Sequence, residues 1–235
     1  MKMSLPCLSL ALLAGSLPGL VAGEITGKVT LKGTPKPEVK IDLGATCGPI
    51  NPDKDNVTTR HYVVGPGGGL ANVFVYLKDA KAAPAKGPSP TLDQVGCMYQ
   101  PYMFGVVVNQ PFKIRNSDAT LHNVHATPRP GGNKEFNFAQ PTKGLENEKS
   151  FDTAEVLVRM KCDVHPWMLA YIGVCDHPYF AVTDKEGNFK ISDVPDGKYT
   201  IVAYHLKTHG ATNPGLSSSI EVKGSAKQDF TVEIP

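Results

Sequence analysis

Cys162-Asp163-Val164-His165-Pro166-Trp167-Met168 places a thiol, an imidazole and a thioether within seven residues. The apolar runs on either side, 154–162 and 169–175, read as strands, so the stretch closes a β-hairpin with three soft donors at its tip. Upstream, Leu121-His122-Asn123-Val124-His125 adds two imidazoles on another predicted strand. Side chains alternate along a strand, so His122 and His125, three positions apart, face opposite sides and only one joins the hairpin donors.

Two imidazoles, a thiolate and a thioether form a soft ligand set. A trigonal His2Cys arrangement with a weak axial Met suits copper, because mixed sulfur and nitrogen donors accommodate both its cuprous and cupric states. Zinc more often draws Cys-x-x-Cys pairs or carboxylates, and an iron–sulfur cluster wants about four thiolates. Neither pattern is present.

Working outward, short runs rich in Val, Ile, Phe and Tyr alternate with Gly, Pro, Asn and Asp turns, and helical periodicity is nearly absent. Strands are predicted at about 24–32, 37–43, 71–78, 104–108, 111–116, 121–127, 154–162, 169–175, 179–183, 188–192, 198–205, 217–223 and 227–234. This pattern predicts an all-β chain of sandwiches or barrels. Composition shifts at Ala82 to Pro90 and at Asp176-His177-Pro178 bracket the donor-bearing segment.

The chain begins with Lys2, an apolar run from Leu8 to Leu13 and small residues up to Val21-Ala22-Gly23, which together read as a cleaved export signal over 1–23. Losing these 23 residues and their one lysine takes the chain from 235 residues and charge +2 to 212 and +1. A balance so near neutral argues against nucleic acid as partner. No later stretch approaches the roughly 20 apolar residues of a membrane span. Export then predicts a periplasmic or secreted protein.

Cys7 leaves with the signal, and Cys47, Cys97, Cys162 and Cys175 remain. Two disulfides are one reading of an exported chain. A hairpin register that sets Cys162 opposite about Leu169 leaves Cys175 about six residues, roughly 20 Å, away, too far for a bridge. Cys47 with Cys97 is the pairing this leaves, with Cys162 free for metal and Cys175 a buried thiol.

The Cys-x-x-His-Pro-aromatic-Met loop, taken with His122-Asn123-Val124-His125, resembles the cupredoxins, and among them the amicyanins, over about residues 91–176. The resemblance implies one type 1 copper ion held by His122, Cys162 and His165 with Met168 as axial ligand. It also implies that Asn123 holds the ligand loop and aims its amide at the Cys162 sulfur. A redox partner protein, a dehydrogenase or a cytochrome, follows from the same resemblance. His125 is left to packing or surface.

A second resemblance lies outside that segment. Ile25-Thr26-Gly27-Lys28-Val29, Ala71-Asn72-Val73-Phe74-Val75 and the stretch from Val182 through Asp184, Gly187 and Phe189 to Val194-Pro195-Asp196-Gly197-Lys198-Tyr199 are similar to a carboxypeptidase regulatory-like, prealbumin-like β-sandwich. The resulting organisation is a signal at 1–23, a first half-sandwich at 24–80, a cupredoxin-like Greek-key copper module at 81–176 and the second half-sandwich at 177–235. One sandwich is thus inserted into, or packed on, the other.

The function expected is electron transfer by an exported mononuclear copper protein. A copper carrier or storage protein uses the same ligands for affinity, and a ligand-binding or adhesion sandwich needs no metal at all. Enzymatic activity is not expected, because an oxidase or nitrite reductase needs a further open copper site and only scattered His61, His177, His205 and His209 remain. Gly65-Pro66-Gly67-Gly68-Gly69 lacks the Gly-Lys-Ser/Thr of a phosphate loop and reads as a flexible connector. Asp184, Glu186, Asp193 and Asp196 flank turns without a calcium-loop pattern. The segment Arg129 to Lys149 reads as an insertion at the rim of the metal module.

Overall fold

The computed structural model describes residues 22–209 and 215–234. The expected export signal lies outside them except for Ala22 and Gly23, which already belong to the first strand. No described helix is long and apolar enough to cross a membrane.

The described strands are β1 (Ala22–Lys32), β2 (Val73–Leu77), β3 (Thr91–Val95), β4 (Met98–Gln100), β5 (Met103–Val107), β6 (Phe112–Asn116), β7 (His122–Thr127), β8 (Phe136–Gln140) and β9 (Glu146–Lys149). They continue with β10 (Glu155–Lys161), β11 (Leu169–Cys175), β12 (Phe180–Val182), β13 (Asn188–Pro195), β14 (Gly197–His205), β15 (Leu216–Val222), β16 (Ser225–Lys227) and β17 (Phe230–Glu233). The described helices are single turns, such as α1 (Gly44–Cys47). The chain is therefore all-β.

Four sheets form. Strands β13-β1-β16, with β17 also paired to β1, and β12-β2-β14-β15 enclose a core that includes Ile25, Val29, Val75, Leu77, Phe189 and Ile201. Strands β5-β11-β10-β7-β8 and β4-β3-β6-β9 enclose another, with Leu92, Phe112, Ile114, Val124, Met160 and Ile172. Between the two sandwiches lies a third apolar layer of Phe74, Met103, Leu157, Tyr171, Cys175 and Tyr204.

Strand β11 explains how the sandwiches meet. Its near-continuous apolar sequence is buried on both faces, as a strand covered on both sides requires. By the two-residue alternation, Ala170, Ile172 and Val174 enter the inner core while Tyr171 and Cys175 enter the middle layer. Gly173 stands between the latter two and pairs in register with Gly105 of β5. A Cβ at Gly173 would lie 2.2 Å from the Phe74 ring, and one at Gly105 would lie 2.3 Å from the Phe180 ring. The two glycines thus form the seat for two phenyl rings of the other sandwich.

Several expectations need correction. Residues 37–43 are not a strand: Pro35 and Pro37 lack ladder donors, a single bridge joins Lys40 to Thr58, and Asp42 caps the Gly44 amide at 2.9 Å to start α1. Strands β3, β4, β8, β9 and β16 go unforeseen because they are short or polar, Glu146-Asn147-Glu148-Lys149 above all. The rim insertion is in fact β8 and β9, each the end strand of a sheet order. The Gly65–Gly69 connector is a tight turn closed by a 2.8 Å backbone bond and pressed on the Lys185-Glu186 backbone, where a Cβ at Gly65 or Gly69 would approach within 2.0 or 1.9 Å.

Gly173→Ala is expected to destabilise the fold by about 1–3 kcal/mol through overpacking against Phe74. Because the clash and the ring share one contact, Gly173→Ala combined with Phe74→Ala should cost less than the sum of the two single changes in urea unfolding.

Candidate metal centre

The hairpin β10–β11 builds the ligand loop. Lys161 pairs with Leu169, the Cys162 amide donates to Met168 O at 3.2 Å, and the Met168 amide donates to His165 O at 2.9 Å. Cys162 therefore sits opposite Met168 rather than Leu169, one residue from the expected register. Cys175 lies at the far end of β11 with its thiol free and buried, and burial pushes that thiol up to about 12, which leaves it unreactive.

Strand β7 supplies the other donor. Its burial alternates, with His122, Val124 and Ala126 inward and Asn123 and His125 outward. The Asn123 amide approaches Cys162 Sγ at 3.4 Å, and its side-chain oxygen accepts the Asp163 amide at 2.8 Å. One residue thus ties β7 to the loop twice. His125 is outside the donor group, paired with Asp163 at 2.8 Å and Glu135 at 2.6 Å. Hydrogen bonds from Lys161 and His125 pull the Asp163 carboxyl down to about 2.

His122, Cys162 and His165 converge. Their ligand atoms lie within 4.8 Å of one another, with 0 %, 2 % and 7 % of their surfaces exposed. The two Nδ1 atoms are 3.1 Å apart and Cys162 Sγ is 3.8 Å from His165 Nδ1. Metal–nitrogen bonds of about 2.0 Å at trigonal angles separate two nitrogens by about 3.5 Å, so the spacing fits one small ion. Met168 is fully buried in the same core cluster as Cys162. The donor set therefore fits copper in softness, and its three converging ligand atoms fit one ion in spacing.

Asp118 is a site residue that the sequence reading misses. It is 6 % exposed and accepts His122 Nε2–H at 2.9 Å and the amides of Gly96 and Cys97 at 2.7 Å each. Those amides come from a two-residue hairpin turn between β3 and β4 in which Gly96 and Cys97 have φ +60 and +57, the left-handed pair of a type I′ turn. Asn116 Oδ1 accepts the Asp118 amide at 2.9 Å and shapes the approach from the other side. Turn chemistry in Asn116-Ser117-Asp118 is legible in sequence, but which carboxylate meets an imidazole is not.

Charge organises the candidate site. Burial opposes ionisation of Asp118, but bonds from His122, Cys97 and Gly96 outweigh it and hold the carboxyl below its ordinary range. Burial likewise opposes the His122 imidazolium, yet Asp118 and Cys162 raise its pKa. Cys162 is penalised by burial and still falls below the ordinary thiol value, through His122 and the Asn123 amide. His165 is lowered by burial and by the neighbouring His122 charge. The two Nδ1 atoms thus face each other across 3.1 Å, one on a ring whose pKa is raised and the other on a ring whose pKa is lowered.

The Cys47–Cys97 disulfide forms as expected, across 50 residues. A bridge closing a loop of that length stabilises by ~4 kcal/mol in the chain-entropy picture. Trp167 Nε1–H donates to Cys97 O at 3.0 Å, and its ring lies 5.4 Å from that of His165. Among the described residues every three-residue group able to hold a metal includes His122 or His165. His177 is spent on Leu77 O at 2.7 Å.

No family model matches the chain, and no curated protein matches it. Among solved structures it is similar to a Cu-containing nitrite reductase from Thermus scotoductus SA-01, with 22 % identity over 40 % of this chain, 24 % of that one and a TM-score of 0.34. The chain thus spans about a quarter of that reductase. It is also similar to a purple cupredoxin from Nitrosopumilus maritimus, at 21 % identity over 37 % and 99 % of the two chains, with TM-score 0.31. For a variant of amicyanin in its Cu(I) form the values are 21 %, 43 %, 97 % and 0.32.

The Asp118–His122 pair sets a pH window. His122, with raised pKa, contributes stability fully below 6.5 and loses it as pH rises through its folded value; Asp118, with depressed pKa, contributes fully above 3.8 and loses it as pH falls. The pair therefore stabilises the metal-free protein most between these values. Asp118→Asn should bring the His122 titration down in NMR and remove this part of the melting-temperature profile. An unchanged His122 titration would refute the assignment.

Proposed function

We propose that the protein is an exported mononuclear copper protein that transfers electrons through a type 1 centre. The observation that carries this reading is the buried convergence of two Nδ1 atoms and one thiol sulfur. His122, Cys162 and His165 would hold the ion, with the Met168 thioether as the weak fourth donor. Bound there, copper supplies reversible one-electron chemistry.

The protein's part is to hold the donors still. Asp118 keeps the proton of neutral His122 on Nε2, which leaves the Nδ1 lone pair turned to the site. The Asn123 amide withdraws charge from the Cys162 sulfur, and its side chain fixes the loop. Both the hairpin and the disulfide limit rearrangement between oxidation states. Electron exit is assigned to the His165 side, beside Val164, which is 46 % exposed and offers an apolar contact to a partner redox protein.

Near-complete burial of all three donors favours electron exchange over handing the ion to another protein, since release would require opening the core. No bond-making step is included in this reading. The outer sandwich, of the carboxypeptidase regulatory-like kind, serves as scaffold or docking unit.

Cupric loading should give an intense thiolate-to-copper visible band with narrow copper hyperfine splitting in EPR. Cys162→Ser should abolish the band completely while leaving the β-sheet circular dichroism intact. A mutant protein that stays blue would sink the assignment.

A further inference from the structure

The Cys47–Cys97 bridge touches the metal centre. Its two sulfurs lie within 4.8 Å of a ring nitrogen of His165, and Cys97 Sγ forms a second such group with Asp118 and His122. Cys97 Sγ therefore stands within reach of both imidazoles that converge with Cys162. The backbone of Cys97 reaches the same groups, since its amide holds Asp118 and its carbonyl accepts the Trp167 indole.

A bridge serving only as a staple needs none of this proximity. Its 50-residue loop could be closed anywhere in the sandwich with the same entropic gain. The covering over it is thin as well. Cys47 and Cys97 are fully buried, but Cys47 rides on the one-turn α1, whose Gly44, Ala45 and Thr46 are exposed. An open groove runs along that turn, lined by Ile41, Leu43, Gly44 and Pro49 among others.

We propose that this bridge is a redox switch on the metal centre, whose reduction adds Cys97 and Cys47 to His165 and His122 as a thiolate-rich site for a cuprous ion. This rests on the copper reading above. In the switching step a dithiol reductant attacks one bridge sulfur as thiolate, and its second thiol resolves the mixed disulfide. Two electrons and two protons pass to the bridge, and the reductant leaves as its own disulfide. The thiols lose their protons to solvent when the ion binds, because thiolate is the ligand.

Softness gives the direction of the effect. Added thiolates favour the cuprous state, so the intact bridge leaves a one-thiolate centre that exchanges electrons, and the opened bridge makes a centre that retains Cu(I). Linkage requires the reverse as well: a cuprous ion held more tightly by the dithiol form raises the reduction potential of the bridge. A tenfold gain in affinity corresponds to about 30 mV on this two-electron couple.

The test is Cu(I) affinity of the full chain, measured by competition with bicinchoninate, with the bridge intact and after anaerobic reduction by dithiothreitol and its removal. Reduction should tighten binding at least tenfold, and X-ray absorption should count more sulfur neighbours around copper. Cys97→Ser should lose the gain, whereas Cys47→Ser, which frees the Cys97 thiol, should show tighter binding than the bridged protein without reductant. Equal affinity of the two wild-type forms, a comparison that needs no variant to fold, would overturn the switch. If copper binds through Cys162 with its visible band but ignores the bridge, the switch alone fails. Absence of copper from both forms would overturn the electron-transfer reading and the switch together.

Discussion

A single buried carboxylate joins the parts of the candidate metal centre. Asp118 receives two amides from the Gly96-Cys97 turn and one imidazole N–H from His122. An ionised carboxylate with so little exposure is tolerable only when its lone pairs are filled by donors. The turn that donates to it bears the disulfide, so the same group also fixes the position of α1 relative to His122. Cys97 accepts a left-handed backbone conformation to make this turn, which for a residue with a Cβ costs about 1–2 kcal/mol.

Strand β11 performs the corresponding task for the apolar part of the structure. It begins where the ligand loop ends, gives Ala170, Ile172 and Val174 to the core under the donors, and gives Tyr171, Gly173 and Cys175 to the seam between sandwiches. A change at that seam is thus covalently three to seven residues from Met168. Close packing gives such a strand little freedom to shift. The outer sandwich consequently stiffens the support on which the ligand loop rests.

Much of the fold class and the donor triangle was legible in the sequence. Alternation in His122-Asn123-Val124-His125 sends His122 inward and His125 out, and the structure follows it. The hairpin tip, the Cys47–Cys97 pairing and the isolation of Cys175 follow from strand geometry. Less legible were β8 and β9, since Phe136-Asn137-Phe138 and Glu146-Asn147-Glu148-Lys149 earn their strand state by pairing with β7 and β6 rather than by apolar content. Residues 37–43 mislead in the opposite sense, since an extended-looking run found no neighbouring strand to complete a ladder.

The sequence by itself determined the all-β class, the chemical types of the donors and their placement on a hairpin tip and a neighbouring strand, because side-chain period and ligand softness are local properties. Only the tertiary structure decided that Asp118 orients His122, that both disulfide sulfurs lie near His165 and Cys97 Sγ near His122 as well, and that Gly105 and Gly173 receive two phenyl rings. Each of these joins residues from separate elements, and such contacts are set by packing between sheets rather than by any local pattern.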